Sequence, residues 1–285
     1  MDIIEILKAV ILGIVEGITE WLPVSSTGHL ILVDEFIKLK ETDAFKSMFD
    51  VVIQLGAILA VVIIFWKKLF PFGKKDNKAP LSKDGFGAYV KWDIFQMWFK
   101  VIVACLPAAV VGVLLDDWVD EHFYNPWVVA IALIVFGVAF IVVENWNKDR
   151  TPKIKTMDEL TYKAALVIGA FQLIAALFPG TSRSGATIVG ALLIGVSRTV
   201  AAEFTFYLAI PVMFGASLLK IIKFDEDFTT NQAVILAVAM IVAFAVSIFV
   251  IKMLMGYIKK HDFKVFGWYR IILGIFVLIY FSVFR

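Results

Sequence analysis

The sequence predicts an all-α integral membrane protein with six transmembrane helices plus two re-entrant helical hairpins, set in an inverted-topology repeat. Three observations lead there. Hydrophobic residues fill 61% of the 285 positions and charged residues only 18%, with a mean hydropathy of +0.88, whereas soluble domains carry roughly 25% charged residues. Apolar runs such as Val128–Val143, Ala233–Met255 and Phe266–Phe284 recur along the chain, which excludes a soluble domain carrying one anchor. Two apolar segments, finally, are broken midway by a proline and a polar run.

In chain order the apolar segments fall near 3–21, 24–37, 49–66, 94–115, 126–143, 162–178, 186–196, 201–223, 231–256 and 266–284. A spanning helix needs about 20 residues. The pairs 3–21/24–37 and 162–178/186–196 are each broken at a proline, Pro23 and Pro179, and the second arm of each is short. Each pair is read as a hairpin that turns at membrane depth, where freed backbone groups must line a cavity or be buried in protein. Six full spans remain, in one integral domain over 1–285. The N-terminus is expected to be retained, because Asp2 and Glu5 precede the first apolar run and no small-residue cleavage site follows it. Cys105 is the single cysteine, so neither a disulfide framework nor a cysteine metal cluster is available.

Loop charge sets the orientation. Residues 67–93 hold Lys67, Lys68, Lys74, Lys75, Lys78, Lys83 and Lys91; residues 144–161 hold Lys148, Arg150, Lys153 and Lys155; residues 257–265 hold Lys259, Lys260 and Lys264. Between them lie two acidic loops, 116–125 with Asp116, Asp117, Asp120 and Glu121, and 224–230 with Asp225, Glu226 and Asp227. Positive loops stay cytoplasmic, so the loops alternate in, out, in, out, in, and both termini are expected outside. Trp66, Trp92, Trp118, Trp127 and Trp268 stand near segment ends as interfacial anchors.

The hairpins align with each other. At an offset of 156, Gly13 meets Gly169, Glu16 meets Gln172, Pro23 meets Pro179, Ser25 meets Thr181 and Ser26 meets Ser182. FDVVIQLG from Phe49 then faces FTFYLAIP from Phe204. Repeat 1 covers about 1–145 and repeat 2 about 160–285. Three spans follow each hairpin, so the second hairpin enters from the opposite side. In such repeats polar sites form near the midplane, where the broken helices of both halves meet.

The polar residues of the two tips carry the chemistry. PGTSRSGAT at 179–187 sets Arg183, a planar fork of donors suited to phosphate oxygens, among Ser182, Ser184 and Thr187. A helix starting near Ala186 points its positive end at the same place. A structural turn whose arginine snorkels to an interface is the competing account. In GIVEGITEWLPVSSTGH at 13–29, Glu16 and Glu20 share a helical face. Two carboxylates beside phosphate imply a divalent cation, Mg²⁺ or Ca²⁺; carboxylates that relay protons or pair with Arg183 are the alternative. Ser26 and His29 lie three apart, giving a candidate nucleophile and a proton-transfer group, and Thr27 adds a hydroxyl for phosphate. Asp50 and Gln54 lie one turn apart and are candidates for the same cavity, with helix–helix hydrogen bonding as the alternative. Arg198 and Glu203 read as a helix-start pair near the cytoplasmic surface, and His122 and His261 as solvated loop residues.

EGITEWLPVSSTGH at 16–29 and PGTSRSGAT at 179–187 closely resemble the two signature motifs of the bacterial undecaprenyl-diphosphate phosphatase family, the bacitracin-resistance family. The resemblance runs along the chain through FDVVIQLG and GVSRTVAAEF at 195–204. It implies a divalent-cation-dependent phosphatase of the bacterial plasma membrane that converts undecaprenyl diphosphate to the monophosphate, recycling the lipid carrier for peptidoglycan synthesis. It also implies six spans, two re-entrant hairpins, inverted repeats and a site open to the outside. By the same resemblance the acidic pair falls on Glu16 and Glu20, the serine and histidine on Ser26 and His29, and the phosphate arginine on Arg183. Asp50 is a departure, since family members more often carry Glu there.

The expected activity is hydrolysis of a polyprenyl phosphoanhydride. Arg183, Ser182, Ser184, Thr187 and Thr27 bind phosphate, Glu16 and Glu20 hold Mg²⁺ or Ca²⁺, His29 manages the proton, and Ser26 or an activated water attacks phosphorus. A homodimer is the candidate assembly. Broken helices in inverted repeats are also transporter architecture, so a carrier or flippase that binds phosphate or polyprenyl phosphate without hydrolysis is the alternative.

Overall fold

The computed structural model describes residues 3–73 and 77–284. Asp2, Lys74 and Lys75 lie outside the described residues, as do the side chains of Asp116, Asp117 and Asp120. The described chain is helical: α1 (Ile3–Thr19), α2 (Ser26–Phe36), α3 (Asp43–Val52), α4 (Gln54–Ile64), α5 (Trp66–Leu69), α6 (Trp92–Phe123), α7 (Pro126–Asn147), α8 (Tyr162–Leu177), α9 (Arg183–Leu193), α10 (Arg198–Lys223), α11 (Thr230–Tyr257) and α12 (Lys264–Phe284). Six stretches are long and apolar enough to cross a membrane: Asp43–Ile64, Trp92–Gly112, Pro126–Asn147, Arg198–Lys223, Thr230–Tyr257 and Lys264–Phe284. This is a multi-pass membrane protein, and the number of spans matches the expectation.

Side-chain caps set many of the helix starts. Thr42, Asn125, Thr161, Ser182, Ser197 and Thr229 each accept a backbone N–H of the first turn, satisfying a donor that has no partner inside the helix. Several expected boundaries shift for this reason. The span expected at 49–66 starts at Asp43 behind Thr42, and it is interrupted at Ile53, where the Gly56 N–H bonds the Ile53 carbonyl in a tight turn. The acidic segment expected as a loop at 116–125 is helical to Phe123. No glycine or proline falls within 116–125, and a residue before proline, here Asn125, is pushed out of helical geometry. The helix expected from about Ala186 begins at Arg183 because Ser182 caps it.

Helices α2 and α9 have 11 residues each, a rise of only about 16 Å against a hydrocarbon core of about 30 Å. Their partner helices pack in corresponding ways. α1 lies on α11, where a Cβ on Gly13 would stand 2.7 Å from the Ala239 carbonyl oxygen. α8 lies on α6, where a Cβ on Gly169 would stand 2.3 Å from the Ala104 carbonyl oxygen. Small residues permit this close approach of membrane helices. α7 and α12 pack along each other beside the two short helices.

Ion pairs on two buried glutamates tie the remaining elements and correct one expectation. Arg198 and Glu203 do not pair. Arg198 grips Glu144, with Nε at 2.9 Å from Oε1 and Nη2 at 2.5 Å from Oε2, and Glu144 also accepts the Phe263 N–H. Glu203 instead receives Lys68 Nζ at 2.8 Å and the Tyr207 hydroxyl. Residues five apart on a helix point about 140° apart (five steps of about 100°), so each finds a partner on another element. His122 and His261 are exposed, each bonded to a carbonyl four residues earlier.

Candidate active site

The two turns that join α1 to α2 and α8 to α9 are built alike. Ser25 has φ 75° and Ser182 has φ 68°, and they are the only non-glycine residues at positive φ among the described residues. Each serine caps the helix after it: Ser25 Oγ accepts the Gly28 N–H at 3.2 Å, and Ser182 Oγ accepts the Gly185 N–H at 3.2 Å. Left-handed backbone is costly for a residue with a Cβ, and such strain concentrates at functional sites. Matching the caps gives an offset of 157, one more than the sequence alignment of the helices before them. At that offset Ser26, Thr27 and Gly28 correspond to Arg183, Ser184 and Gly185, which corrects the pairing of Ser25 with Thr181 and of Ser26 with Ser182.

Glu20 joins the two turns. Its Oε1 accepts Arg183 Nη2 at 2.8 Å, and its Oε2 accepts Ser26 Oγ at 3.2 Å. Its backbone carbonyl accepts Ser184 Oγ at 3.3 Å. Glu20 is 7% exposed, so this bridge is largely shielded from water. Arg183 completes its fork on the Thr205 carbonyl at 2.9 Å. The bridge corresponds to the Arg183-pairing alternative, and it also places the serine, the carboxylate and the arginine at one spot.

Glu16 lies one turn before Glu20, fully buried, and neither of its carboxylate oxygens has a hydrogen-bond partner. Glu20, Asp50 and Arg183 are the charged groups whose fields reach it. An unpaired buried carboxylate is expensive, and a divalent cation bound partly by substrate phosphate needs only one or two protein carboxylates. Uncommitted hard oxygens at this point fit such an ion. Among the described residues no group of three or more His, Cys, Asp or Glu side chains could hold a metal ion, so a complete protein cage is absent there. Gln172, the counterpart of Glu16, is likewise buried with its amide unpartnered.

His29 is not joined to Ser26. Its Nδ1 lies 2.7 Å from the Ser25 carbonyl oxygen and its Nε2 lies 2.7 Å from the Tyr269 hydroxyl. A carbonyl only accepts, so Nδ1 carries a proton, and in the neutral ring Nε2 accepts from Tyr269. The two rings are stacked at 5.6 Å between centroids. Both line an apolar groove of about 430 Å³ with Val15, Ile18, Leu22 and Phe266.

The remaining expected residues separate by exposure. Thr27 and Ser182 are half-buried, and Ser182 Oγ lies 3.1 Å from Ser184 Oγ. Ser184 is 1% exposed. Thr187 is fully buried, with its hydroxyl shared among the Arg183 and Ser184 carbonyls and Thr205 Oγ1. That hydroxyl is committed inside the protein. Asp50 lines a second crevice of about 260 Å³ with Asp34, Lys46 and Asn125, while Gln54 does not line it. Sequence reasoning missed Arg270, Tyr269 and Thr205. Arg270 was visible as the one charge within Phe266–Phe284; Tyr269 and Thr205 carried no signal in an apolar helix.

Known proteins resemble the chain along nearly all of its length. The family described as "Bacitracin resistance protein BacA" matches residues 9–276. The "Undecaprenyl-diphosphatase" of Desulfitobacterium hafniense is 62% identical, over 99% of this chain and 98% of its own. That of Enterococcus faecalis is 61% identical over 98% of both chains. The "Undecaprenyl-diphosphatase 1" of Clostridium acetobutylicum is 62% identical over 99% of this chain and all of its own.

Proposed function

The chain belongs to the bacitracin resistance protein BacA family, and from that premise we propose that it hydrolyses undecaprenyl diphosphate to undecaprenyl phosphate and inorganic phosphate. The reaction regenerates the lipid carrier for peptidoglycan synthesis and confers bacitracin resistance. The observation that carries the reading is the Glu20 bridge, which holds a serine hydroxyl and an arginine on one buried carboxylate.

The proposed roles follow from these contacts. Arg183 leaves Glu20 in part to grip the terminal phosphate in its fork, the half-buried Ser182 and Thr27 offer hydroxyls beside it, and Ser184, buried and donating to the Glu20 carbonyl, holds the two turns together. Glu16, with uncommitted oxygens, and Glu20 would hold Mg²⁺ or Ca²⁺, which would supply positive charge against the phosphate oxygens when bound. Ser26 Oγ passes its proton to Glu20 Oε2 and attacks the terminal phosphorus. The bond from phosphorus to the bridging oxygen breaks, and the lipid monophosphate departs. Water then cleaves the phosphoserine and releases phosphate. His29, at the boundary between the polar site and the apolar groove, manages the proton on the lipid side. The groove takes the first isoprene units, while Thr187 stiffens the turn below Arg183.

We place the two turns at membrane depth as tips of re-entrant hairpins in an inverted-topology repeat. Support comes from the short α2 and α9, the paired serine caps and the exchanged packing of α1 on α11 and α8 on α6. The alternation of basic and acidic loops supports both termini and the mouth of the site on the outer side.

The test is phosphate release by the purified protein from undecaprenyl diphosphate, with and without divalent cation, beside a short soluble diphosphate. Cation-dependent release is expected, faster for the lipid. A carrier without hydrolysis releases none.

A further inference from the structure

Arg270 stands in α12 and is 0% exposed. Its guanidinium donates only to backbone carbonyls: Nη1 to Pro23 at 3.2 Å, Nη2 to Gly180 at 3.0 Å and Thr181 at 2.7 Å, and Nε to Leu133 at 3.5 Å. Pro23 belongs to the first turn, Gly180 and Thr181 to the second, and Leu133 to α7. One planar group therefore ties both turns to the α7–α12 pair. Among the described residues it makes no ion pair with a carboxylate, although a buried charge is normally paired. Space is reserved for it: a Cβ on Gly185 would stand 2.9 Å from Nη1.

We propose that Arg270 is a positioning residue for hydrolysis, a clasp that sets the separation of the two serine-capped turns and so the alignment of Glu20 and Ser26 with Arg183. The proposal rests on the functional reading above. The chain of contacts is short. Pro23 lies three residues from both Glu20 and Ser26, and Thr181 lies two residues from Arg183. The Glu20–Arg183 contact crosses between the turns that Arg270 holds together. An apolar residue leaves four carbonyls without this donor, and a lysine offers a point charge that cannot span both turns as a rigid fork does.

The experiment compares the full chain, purified in detergent, with its Arg270→Lys and Arg270→Met variants. Cation-dependent phosphate release is measured together with the distance between spin labels on Phe36→Cys and Phe178→Cys in a Cys105→Ala background. Phe36 and Phe178 are both exposed, on α2 and just before the second turn. A narrow distance distribution is expected with Arg270 and a broadened one in both variants. For Arg270→Lys, kcat should fall about 100-fold with KM within about threefold, because a misplacement of about 1 Å costs that much in rate. An unchanged distance distribution with kcat within about threefold of the parent overturns the clasp. If Arg270→Met does not fold, Arg270→Lys decides alone. If the parent releases no phosphate, the functional reading fails while the label distances still test the clasp.

Discussion

Arg183 and Glu20 form an ion pair of 2.8 Å between two turns 163 residues apart in sequence, with side chains 13% and 8% exposed. A pair this shielded is costly to break from one side, because the surviving charge stays buried. Both residues also belong to the proposed chemistry. Arg183→Ala and Glu20→Ala should each lower kcat for phosphate release by about 100- to 1,000-fold, the loss typical of a charge-stabilising group. The double variant should be scarcely worse than either single one, since residues acting as a unit are non-additive. Steady-state kinetics of the three proteins tests this, and near-parental turnover by Arg183→Ala with cation present would refute the site.

Ser26 donates to Glu20 Oε2, not to His29. The serine route therefore predicts a phosphoserine that can be trapped by acid quench and located by mass spectrometry on Ser26. Ser26→Ala should lose turnover by about 1,000-fold or more, as serine nucleophile variants do. Retained activity in Ser26→Ala would assign the attack to water.

Glu16 leads to a prediction with a readout in stability. In the absence of divalent cation, Glu16→Gln should melt at a higher temperature than the parent, because it replaces an unpaired buried carboxylate that costs about 1–3 kcal/mol or more. Adding Mg²⁺ or Ca²⁺ should raise the melting temperature of the parent and leave that of Glu16→Gln nearly unchanged. Identical cation shifts in the two proteins would remove Glu16 from the cation site.

The Glu144–Arg198 pair offers a control away from the turns. Glu144 is 1% exposed and accepts from Arg198 and from the Phe263 backbone. Glu144→Ala should cost about 1–3 kcal/mol of stability, because it leaves the buried Phe263 N–H without an acceptor while Arg198, 36% exposed, can turn to water. Thermal denaturation measures the loss, and KM of the folded fraction should not move.

The apolar groove predicts a dependence on chain length. Ile18→Trp narrows the groove beside His29 and should raise KM for undecaprenyl diphosphate by about 10-fold, a loss of about 1.4 kcal/mol. For a short soluble diphosphate KM should hold. Equal changes for both substrates would place the isoprenoid elsewhere.

Much was legible in the sequence because the membrane imposes strong local rules. The length of apolar runs set the six spans, and the prolines at Pro23 and Pro179 marked the two breaks. Charges inside apolar segments singled out Glu16, Glu20 and Arg183, since such charges are too costly to be incidental. What only the tertiary structure decided was which partner each polar group takes. Glu20 binds Ser26 and Arg183, His29 turns to Tyr269, Arg198 reaches Glu144 rather than Glu203, and Thr187 is spent inside the protein. The one-residue shift between the two turns also appears only when their caps are matched. Hydrophobicity is additive along the chain and can be read locally. A hydrogen bond depends on direction and on groups far apart in sequence, so Arg270, one arginine in an apolar helix, became a clasp only when two distant turns met around it.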